Sequence, residues 1–187
     1  MAKSKGNVVT FGLSGKIGDL LVFRQRNGQT IVAKLAERPK HASGKQTAHR
    51  KRFQQATVYA QAVVKDPQLK ELYDAAAKKR KGVTAYNIAV ADFFNAPDIE
   101  TLDLSAYKGE VGDEIRITVS DDFAVKEVHV SISNADGSVV EEGYASHISG
   151  NLWTYVATQY NESLDGDRIE ISASDIPGNI TSEERSL

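Results

Sequence analysis

Apolar and polar residues alternate with a period of two over most of the chain beyond residue 99. Residues 114–119 and 128–132 show this alternation most clearly, with Ile or Val at every second position. Turn signals such as Asp136-Gly137 recur at short intervals between the alternating stretches. The pattern predicts about seven short strands of an antiparallel β-sandwich. Their predicted ranges are 99–105, 113–120, 124–133, 138–146, 151–158, 167–174 and 179–185.

A segment of about fifty residues before these strands repeats its apolar residues at helical spacing instead. Ser43 followed three residues later by Gln46 is a capping-box signature. Asp66-Pro67 ends the first predicted helix near residue 65 and begins the second. A third helix is predicted over residues 84–95, and because it is apolar almost all round we expect it to be the buried member.

Two largely apolar stretches flank Asn27-Gly28, the strongest short signal for a β-hairpin. The predicted strands run over residues 17–26 and 29–37, and both faces of the hairpin are mostly apolar. Because a lone two-stranded ribbon is marginal in water, we expect it to pack on helices, join another sheet or enter a neighbouring chain. The residues that carry this prediction are Leu20, Val22, Phe23, Ile31 and Val32.

Four glycines lie within residues 6–18 and predict an irregular or extended arm rather than a helix. The same segment superficially resembles a phosphate-binding loop. A P-loop requires GxxxxGK[ST], but Thr10 stands where the first glycine belongs and Ile17 where the hydroxyl belongs. Nucleotide binding is therefore not expected.

These patterns together predict an α+β protein of two domains. Residues 1–96 are predicted to form an arm, a β-hairpin and about three helices, and residues 97–187 an all-β sandwich. The boundary is placed at residues 95–98, where the apolar helical pattern ends in a turn signal.

Charge divides unevenly between these two predicted domains. The 187 residues have a formal net charge of −2. Residues 1–96 nevertheless contain 18 Lys and Arg against 6 Asp and Glu, a net of +12, and residues 97–187 contain 5 against 19, a net of −14. Such asymmetry indicates a basic region and an acidic region with different partners.

Cations concentrate on the predicted hairpin and at the start of the first helix. Because cations at a helix N-terminus oppose the helix dipole, we expect something to compensate them. Solvent, the carboxylates of a neighbouring acidic domain, and nucleic-acid phosphates remain open alternatives, although the acidic domain would repel a phosphate backbone. The residues singled out are Arg24, Arg26, Lys45, Arg50, Lys51 and Arg52.

Aspartates fall near the ends of several predicted strands. Carboxylates gathered at one pole could bind calcium, which takes six to eight oxygen ligands, but no EF-hand spacing is present and solvated acidic loops are the alternative. No other cofactor is expected. The predicted acidic partner surface consists of Asp113, Asp121, Asp122 and Asp175.

The remaining chemistry of the sequence does not favour an enzyme. The chain has no Cys, which excludes disulfides and thiolate chemistry. Its four His show no metal-ligand spacing and no GxSxG motif is present, so they are expected to be surface or packing residues. Trp153 and Tyr155 share a strand face and are expected in the core. We expect no membrane span and no secretory signal, because no sufficiently long apolar run is visible.

Two segments resemble known families. Residues 166–179 alternate apolar residues and then read Ala-x-Asp, two residues and Gly-Asn, which resembles the penultimate strand and turn of bacterial immunoglobulin-like modules. Gly12-Leu-Ser-Gly-Lys-Ile-Gly18, with the later Gln46-x-x-x-Arg50-x-Arg52-Phe53, is similar to the opening of an uncharacterised bacterial family with no assigned activity. The first resemblance implies an immunoglobulin-like sandwich, a fold that mostly serves adhesion, spacing and assembly.

The sequence therefore predicts a non-enzymatic structural protein that self-assembles as a filament or as a surface or particle component. The basic N-terminal region of one copy would contact the acidic C-terminal region of the next, and the arm or hairpin would add a strand to a neighbour's sheet. Nucleic-acid binding by the basic half is the alternative. A cell-surface, extracellular or particle-associated location is compatible with this prediction.

Overall fold

The computed structural model describes residues 8–26, 28–35 and 43–187, and the backbone of residues 2–4. Within these residues the chain forms three helices and three four-stranded antiparallel sheets, which confirms the α+β class. It divides into two compact units, an N-terminal unit, Met1–Lys51, and a C-terminal unit, Arg52–Leu187. The predicted domain boundary at residues 95–98 lies inside the C-terminal unit.

The sheet of the N-terminal unit contains the predicted hairpin. Its strands are β1 (Ala2–Ser4), β2 (Gly15–Ile17), β3 (Leu21–Arg26) and β4 (Gln29–Lys34), in the order β1-β4-β3-β2. Arg26 lies opposite Gln29 and Phe23 opposite Val32, as a two-residue turn requires. The hairpin therefore joins a larger sheet, which is one of the three arrangements expected for it. The predicted end of its second strand, residues 36 and 37, lies outside the described residues.

Very little of the described part of the N-terminal unit is buried. Among its described residues only Phe23, 8% exposed, and Thr30, 4% exposed, are buried, and both lie on one face of the sheet. Gln25 Nε2 donates to the Leu13 carbonyl and to Thr30 Oγ1, both at 2.8 Å, and Thr30 Oγ1 donates to the Thr10 carbonyl at 3.0 Å. These bonds hold the turn segment before β2 against that face.

Three helices follow in the chain: α1 (Gly44–Lys65), α2 (Pro67–Lys78) and α3 (Ala85–Asp92). The predicted capping box is confirmed, because Ser43 and Gln46 exchange backbone-to-side-chain hydrogen bonds of 3.0 and 3.2 Å. Asp66 caps α2 and Thr84 caps α3, also as predicted. None of the helices in the described ranges combines the length and the apolar character that crossing a membrane requires.

The third helix ends at Asp92, three residues earlier than predicted. The backbone N–H groups of Phe94 and Asn95 bond to carbonyls three residues back rather than four, so the chain tightens into a turn before Pro97. The apolar residues beyond Asp92 made the sequence pattern look longer than the helix.

A small core holds the helices together, and α3, with four of its eight residues buried, is the most buried of the three described helices, as predicted. The ring of Tyr73 on α2 stacks on Phe123, which lies in the turn after the second strand of the next sheet, with 4.1 Å between centroids and 7° between planes. The buried residues of this core are Ala60, Val63, Tyr73, Ala77, Ala85, Ile88 and Ala89.

Eight strands complete the C-terminal unit in two sheets, ordered β5-β6-β10-β9 and β12-β11-β7-β8. The strands are β5 (Asp98–Asp103), β6 (Glu114–Ser120), β7 (Val125–Ser133), β8 (Val139–Tyr144), β9 (Ser146–Ser149), β10 (Leu152–Val156), β11 (Arg168–Asp175) and β12 (Ile180–Ser186). Seven of them match the predicted ranges within two residues. The eighth, β9, was not predicted, because all four of its residues are exposed and show no alternation of burial.

One hydrophobic core contains the inward-facing residues of both sheets. Tyr155 is 4% exposed within this core and Trp153 packs against it partly buried, so the prediction that this pair is core is confirmed. The fully buried aliphatic residues are Ile115, Ile117, Val119, Val128, Val130, Ile132, Ile169, Ile171 and Ala173.

Replacing Ile171 with Ala should lower the free energy of unfolding by about 2–5 kcal/mol, because its side chain is 0% exposed and its loss leaves a cavity. Ile180→Ala is the matched control, since Ile180 is 66% exposed, and should cost less than about 0.5 kcal/mol. Urea unfolding followed by the fluorescence of Trp153, the only tryptophan in the sequence, measures both. Equal losses in the two variants would contradict the described core.

Candidate functional site

Three aspartates from separate elements converge at one end of the two-sheet core. Asp92 ends α3, Asp121 follows β6, and Asp175 ends β11. A carboxylate oxygen of each lies within 4.8 Å of one from each of the other two. Asp92 is 1% exposed and Asp175 0%, while Asp121 is half-buried. We call these three residues the aspartate cluster.

Asp92 is the least satisfied member of the cluster. The Tyr73 hydroxyl donates a short hydrogen bond to Oδ2 of Asp92, and the hydroxyl of Tyr59 lies 2.9 Å from that of Tyr73. Oδ1 of Asp92 is buried and has no hydrogen-bond partner among the described residues. Burial, above all, raises the pKa of Asp92 to about 7, and the negative charges of its acidic neighbours act in the same direction.

Asp121 shapes the turn that joins the two sheets. Its Oδ1 accepts the backbone N–H groups of Phe123 at 2.7 Å and Ala124 at 2.9 Å. Its Oδ2 is a second buried oxygen without a hydrogen-bond partner in the described chain. Burial raises the pKa of Asp121, although the two backbone donors oppose this change.

Asp175 is held by the turn between β11 and β12. Its Oδ1 accepts the backbone N–H of Gly178 at 2.7 Å and that of Asn179 at 2.6 Å, and its Oδ2 accepts Asn179 Nδ2 at 2.6 Å. Gly178 has a φ of +93°, which favours glycine at this position. Asn179 Nδ2 also lies 2.9 Å from the carbonyl of Asn95, so this turn is tied to the segment after α3.

An open cleft of about 360 Å³ runs beside the cluster, and Asp121 is one of its lining residues. Trp153 and His147 line another part of the cleft, with their ring centroids 5.0 Å apart. None of the four salt bridges in the described ranges involves a member of the aspartate cluster. Three carboxylates therefore stand together without a Lys or Arg partner among the described residues.

Sequence reasoning found two members of this cluster and missed the third. Asp121 and Asp175 were singled out as acids near strand ends, but Asp92 was not. The sequence did contain a signal, because Asp92 lies between Ala91 and Phe93 in a predicted helix that is otherwise apolar almost all round. An acid in such a helix is expected to be buried, and a buried acid normally needs a partner.

The structure contradicts the predicted acidic partner surface at Asp175. Asp175 is fully buried, so it cannot belong to an exposed surface. Asp113 accepts the backbone N–H groups of Lys108 and Glu110 at 2.6 and 3.0 Å, and these bonds lower its pKa. Asp122 is exposed and accepts Asn95 Nδ2 at 2.8 Å. The acids singled out from the sequence mainly organise turns.

The predicted basic residues occupy exposed positions. Arg24 and Arg26 lie on β3, and Lys45, Arg50 and Lys51 lie on the first two turns of α1. Arg52 is exposed as well, but it is engaged with its own chain. Its Nη2 donates to the carbonyl of Phe94 at 3.3 Å, and its guanidinium lies 5.3 Å from the centroid of the Phe94 ring.

The predicted hairpin residues differ widely in exposure. Leu20 is 71% exposed and Phe23 is buried. The other three, Val22, Ile31 and Val32, are half-buried.

Comparisons of the chain with protein-family models, with curated proteins and with solved structures found no match. The geometry of the described residues is therefore what supports a function. An aspartate cluster of this kind offers oxygen donors alone, a set that suits a proton or a hard cation.

The aspartate cluster should make the stability of the protein depend on pH. The pKa of Asp92 is about 7 in the folded chain and near 3.8 otherwise, so its contribution to stability is complete below about pH 4 and is lost as the pH rises through 7. The groups that face it are Tyr73, Asp121, Asp122 and Asp175. In EDTA, the free energy of unfolding of the wild type relative to Asp92→Asn should fall by roughly 2–3 kcal/mol from pH 5 to pH 8.

Urea unfolding of both proteins at the two pH values measures this difference. Asp92→Asn keeps the size of the side chain and an acceptor for the Tyr73 hydroxyl but cannot ionise, so it removes the titration alone. A relative stability that stays constant or rises with pH would show that Asp92 ionises normally in the folded protein.

Proposed function

We propose that the protein is a non-enzymatic structural protein that self-assembles, with the N-terminal unit of one copy docking on the C-terminal unit of another. The observation that carries this proposal is the near absence of a core in the described N-terminal sheet, where only Phe23 and Thr30 are buried. A sheet needs a covered apolar face to be stable independently. A second copy would supply that cover.

Exposed apolar side chains of the N-terminal unit support the same conclusion. Val8 is 91% exposed, Phe11 79% and Leu20 71%. Burying a large apolar side chain contributes about 1.5–3 kcal/mol, so covering these three would add substantially to an interface. Soluble monomers rarely expose apolar patches without a partner.

The acidic side of the proposed contact is a row of glutamates on the outer face of the β12-β11-β7-β8 sheet. Glu184 pairs directly with Glu170, and Ser131 lies between Glu170 and Glu142. All three glutamates are exposed, while the residues that alternate with Glu170 along β11 are buried. Like charges directly opposite one another destabilise a sheet, so a cationic partner would stabilise this face.

The basic side of the contact is the first half of α1. This helix of 22 residues contains five Lys and Arg and no acidic residue, and residues 44–55 are all exposed. The exposed cations include Lys45, Arg50 and Lys51. A basic helix on one copy that meets an acidic row on another forms a heterologous contact, which generates a ring or an open filament.

Strand addition would strengthen such an assembly. The outer strands of the described N-terminal sheet, β1 and β2, have only three residues each. At this length each offers only a short template for a strand of a neighbouring copy, because short edge strands limit edge-to-edge pairing.

Within this proposal the two sheets of the C-terminal unit form an immunoglobulin-like sandwich. The order β5-β6-β10-β9 corresponds to strands A, B, E and D of that fold, and β12-β11-β7-β8 corresponds to G, F and C with one added strand. This correspondence supports the resemblance of residues 166–179 to bacterial immunoglobulin-like modules, and the assembly role that this resemblance implies is an analogy of fold.

Nucleic-acid binding is the second candidate, and the acid-free, exposed half of α1 is the observation that favours it. Phosphates would compensate its cations as carboxylates would. The acidic row on the C-terminal unit favours the first candidate, because it repels a phosphate backbone but attracts α1 of another copy.

Removing apolar surface from the N-terminal unit should weaken assembly. We expect the wild type to form oligomers at low salt and the double variant Val8→Ser, Phe11→Ser to be mainly monomeric at the same concentration, as measured by light scattering. Val139→Ser, Ile180→Ser is the matched control, because these residues are also exposed, at 61% and 66%, but lie in the C-terminal unit. A monodisperse monomeric wild type at high concentration and low salt would refute the proposal.

Reversing the charge of either the basic half of α1 or the acidic row should disrupt assembly, and mixing the two variants should restore it. We expect Arg50→Glu, Lys51→Glu and separately Glu170→Lys, Glu184→Lys to remain monomeric at low salt, because each leaves like charges at the contact. An equimolar mixture of the two variants should form oligomers again, in which the two variants alternate, detected by light scattering. Glu170→Lys, Glu184→Lys would instead bind nucleic acid more tightly in a gel shift and leave oligomerisation unchanged if the second candidate is correct.

A further inference from the structure

We propose that Asp92, Asp121 and Asp175 bind a divalent cation, calcium, at the end of the two-sheet core of the C-terminal unit. The site does not depend on the proposed self-assembly. It brings together the C-terminus of α3, the turn after β6 and the end of β11. A bound ion would therefore join the helices to both sheets.

Two buried oxygens without hydrogen-bond partners point to a ligand at this place. In the described chain, Oδ1 of Asp92 and Oδ2 of Asp121 are buried and unpartnered, and both residues belong to the cluster. Asp92 is only 1% exposed, so bulk solvent does not reach its oxygen. Leaving a buried charged oxygen unpaired is unfavourable, and a cation would offset this cost.

A third buried oxygen without a hydrogen-bond partner belongs to Glu141, and it allows the aspartate cluster to be compared with an isolated buried acid. Oε1 of Glu141 is buried and has no hydrogen-bond partner in the described ranges, but its Oε2 accepts three hydrogen bonds, from the Tyr155 hydroxyl and from the N–H and hydroxyl of Thr158. Glu141 does not belong to any group of acids close enough to share an ion among the described residues. At the aspartate cluster, two residues that each have an unpartnered oxygen lie together with a third carboxylate.

The number of carboxylates favours calcium over magnesium, because magnesium usually keeps several waters and is bound through only one or two carboxylates. Calcium binds oxygen at about 2.3–2.6 Å, so two of its ligands lie up to about 5 Å apart. The cluster oxygens, which all lie within 4.8 Å of one another, fit that limit. Oxygen-only donors also disfavour zinc and copper, which prefer nitrogen or sulfur.

The cleft beside Asp121 gives an ion a route to the cluster and leaves room for water ligands. Calcium takes six to eight oxygens, so three carboxylates require additional ligands, and water entering from this cleft would supply them. Backbone N–H groups of the adjoining turns donate hydrogen bonds to Asp121 and Asp175 and fix these two carboxylates. The residues are thus positioned before an ion arrives.

Calorimetric titration of the full chain with CaCl2 at pH 8 tests the proposal. We expect saturable binding of about one ion per chain with a dissociation constant below about 1 mM. Ion binding should raise the thermal unfolding midpoint, followed by Trp153 fluorescence, by about 2 °C or more in about 5 mM CaCl2 relative to EDTA. Asp92→Asn and Asp121→Asn should each weaken binding at least about tenfold.

Asp122→Asn is the matched control, because Asp122 is adjacent in sequence and exposed but is not part of the cluster. It should bind calcium within about twofold of the wild type. Asp92→Asn retains the shape of the side chain, and its far-ultraviolet circular dichroism shows whether it folds. A wild type with no saturable heat and the same midpoint in CaCl2 and EDTA would overturn the proposal, as would equal weakening by Asp122→Asn and Asp92→Asn.

Discussion

The buried hydrogen bond from Tyr73 to Asp92 is the interaction on which the organisation of the C-terminal unit depends. It places a carboxylate of α3 beside the ends of both sheets, where hydrophobic packing alone would exclude a charge. The same tyrosine stacks on Phe123, and Asn179 bonds to the chain just after α3. The helices and the sheets are therefore joined by hydrogen bonds that lie beside an aromatic stack. The cation binding proposed for the aspartate cluster follows from these contacts.

Most of the C-terminal unit was predictable because its period-two pattern directly reflects burial in two facing sheets. Each inward Ile or Val of β6, β7 and β11 is marked by polar neighbours on both sides. The sequence pattern did not predict β9, because a fully exposed edge strand needs no alternation of apolar and polar residues. The aspartate cluster was only partly predictable, because the convergence of Asp92 with Asp121 and Asp175 is a property of the tertiary structure and no local pattern records it.

The N-terminal unit shows a different limit of sequence reasoning. Asn27-Gly28 specified the hairpin register, since a tight turn fixes which residues face each other. β1 and β2, at three residues each, are too short to leave a periodic signal, so the four-stranded sheet was not foreseen. Charge counts identified the basic and acidic regions, but the acids that lie in a row are glutamates on one sheet face, and the aspartates singled out mostly hold turns.

If the protein assembles through its N-terminal sheet, as proposed, the sparse core of that sheet has a kinetic consequence. If that sheet acquires lasting order only on meeting another copy, its maturation is a bimolecular step whose rate rises with protein concentration. In newly made chains the C-terminal unit would then be folded, while the N-terminal sheet would not yet be stably ordered. Growth would be slow while copies are scarce and fast once they accumulate, so that the onset of assembly reports the local abundance of the protein.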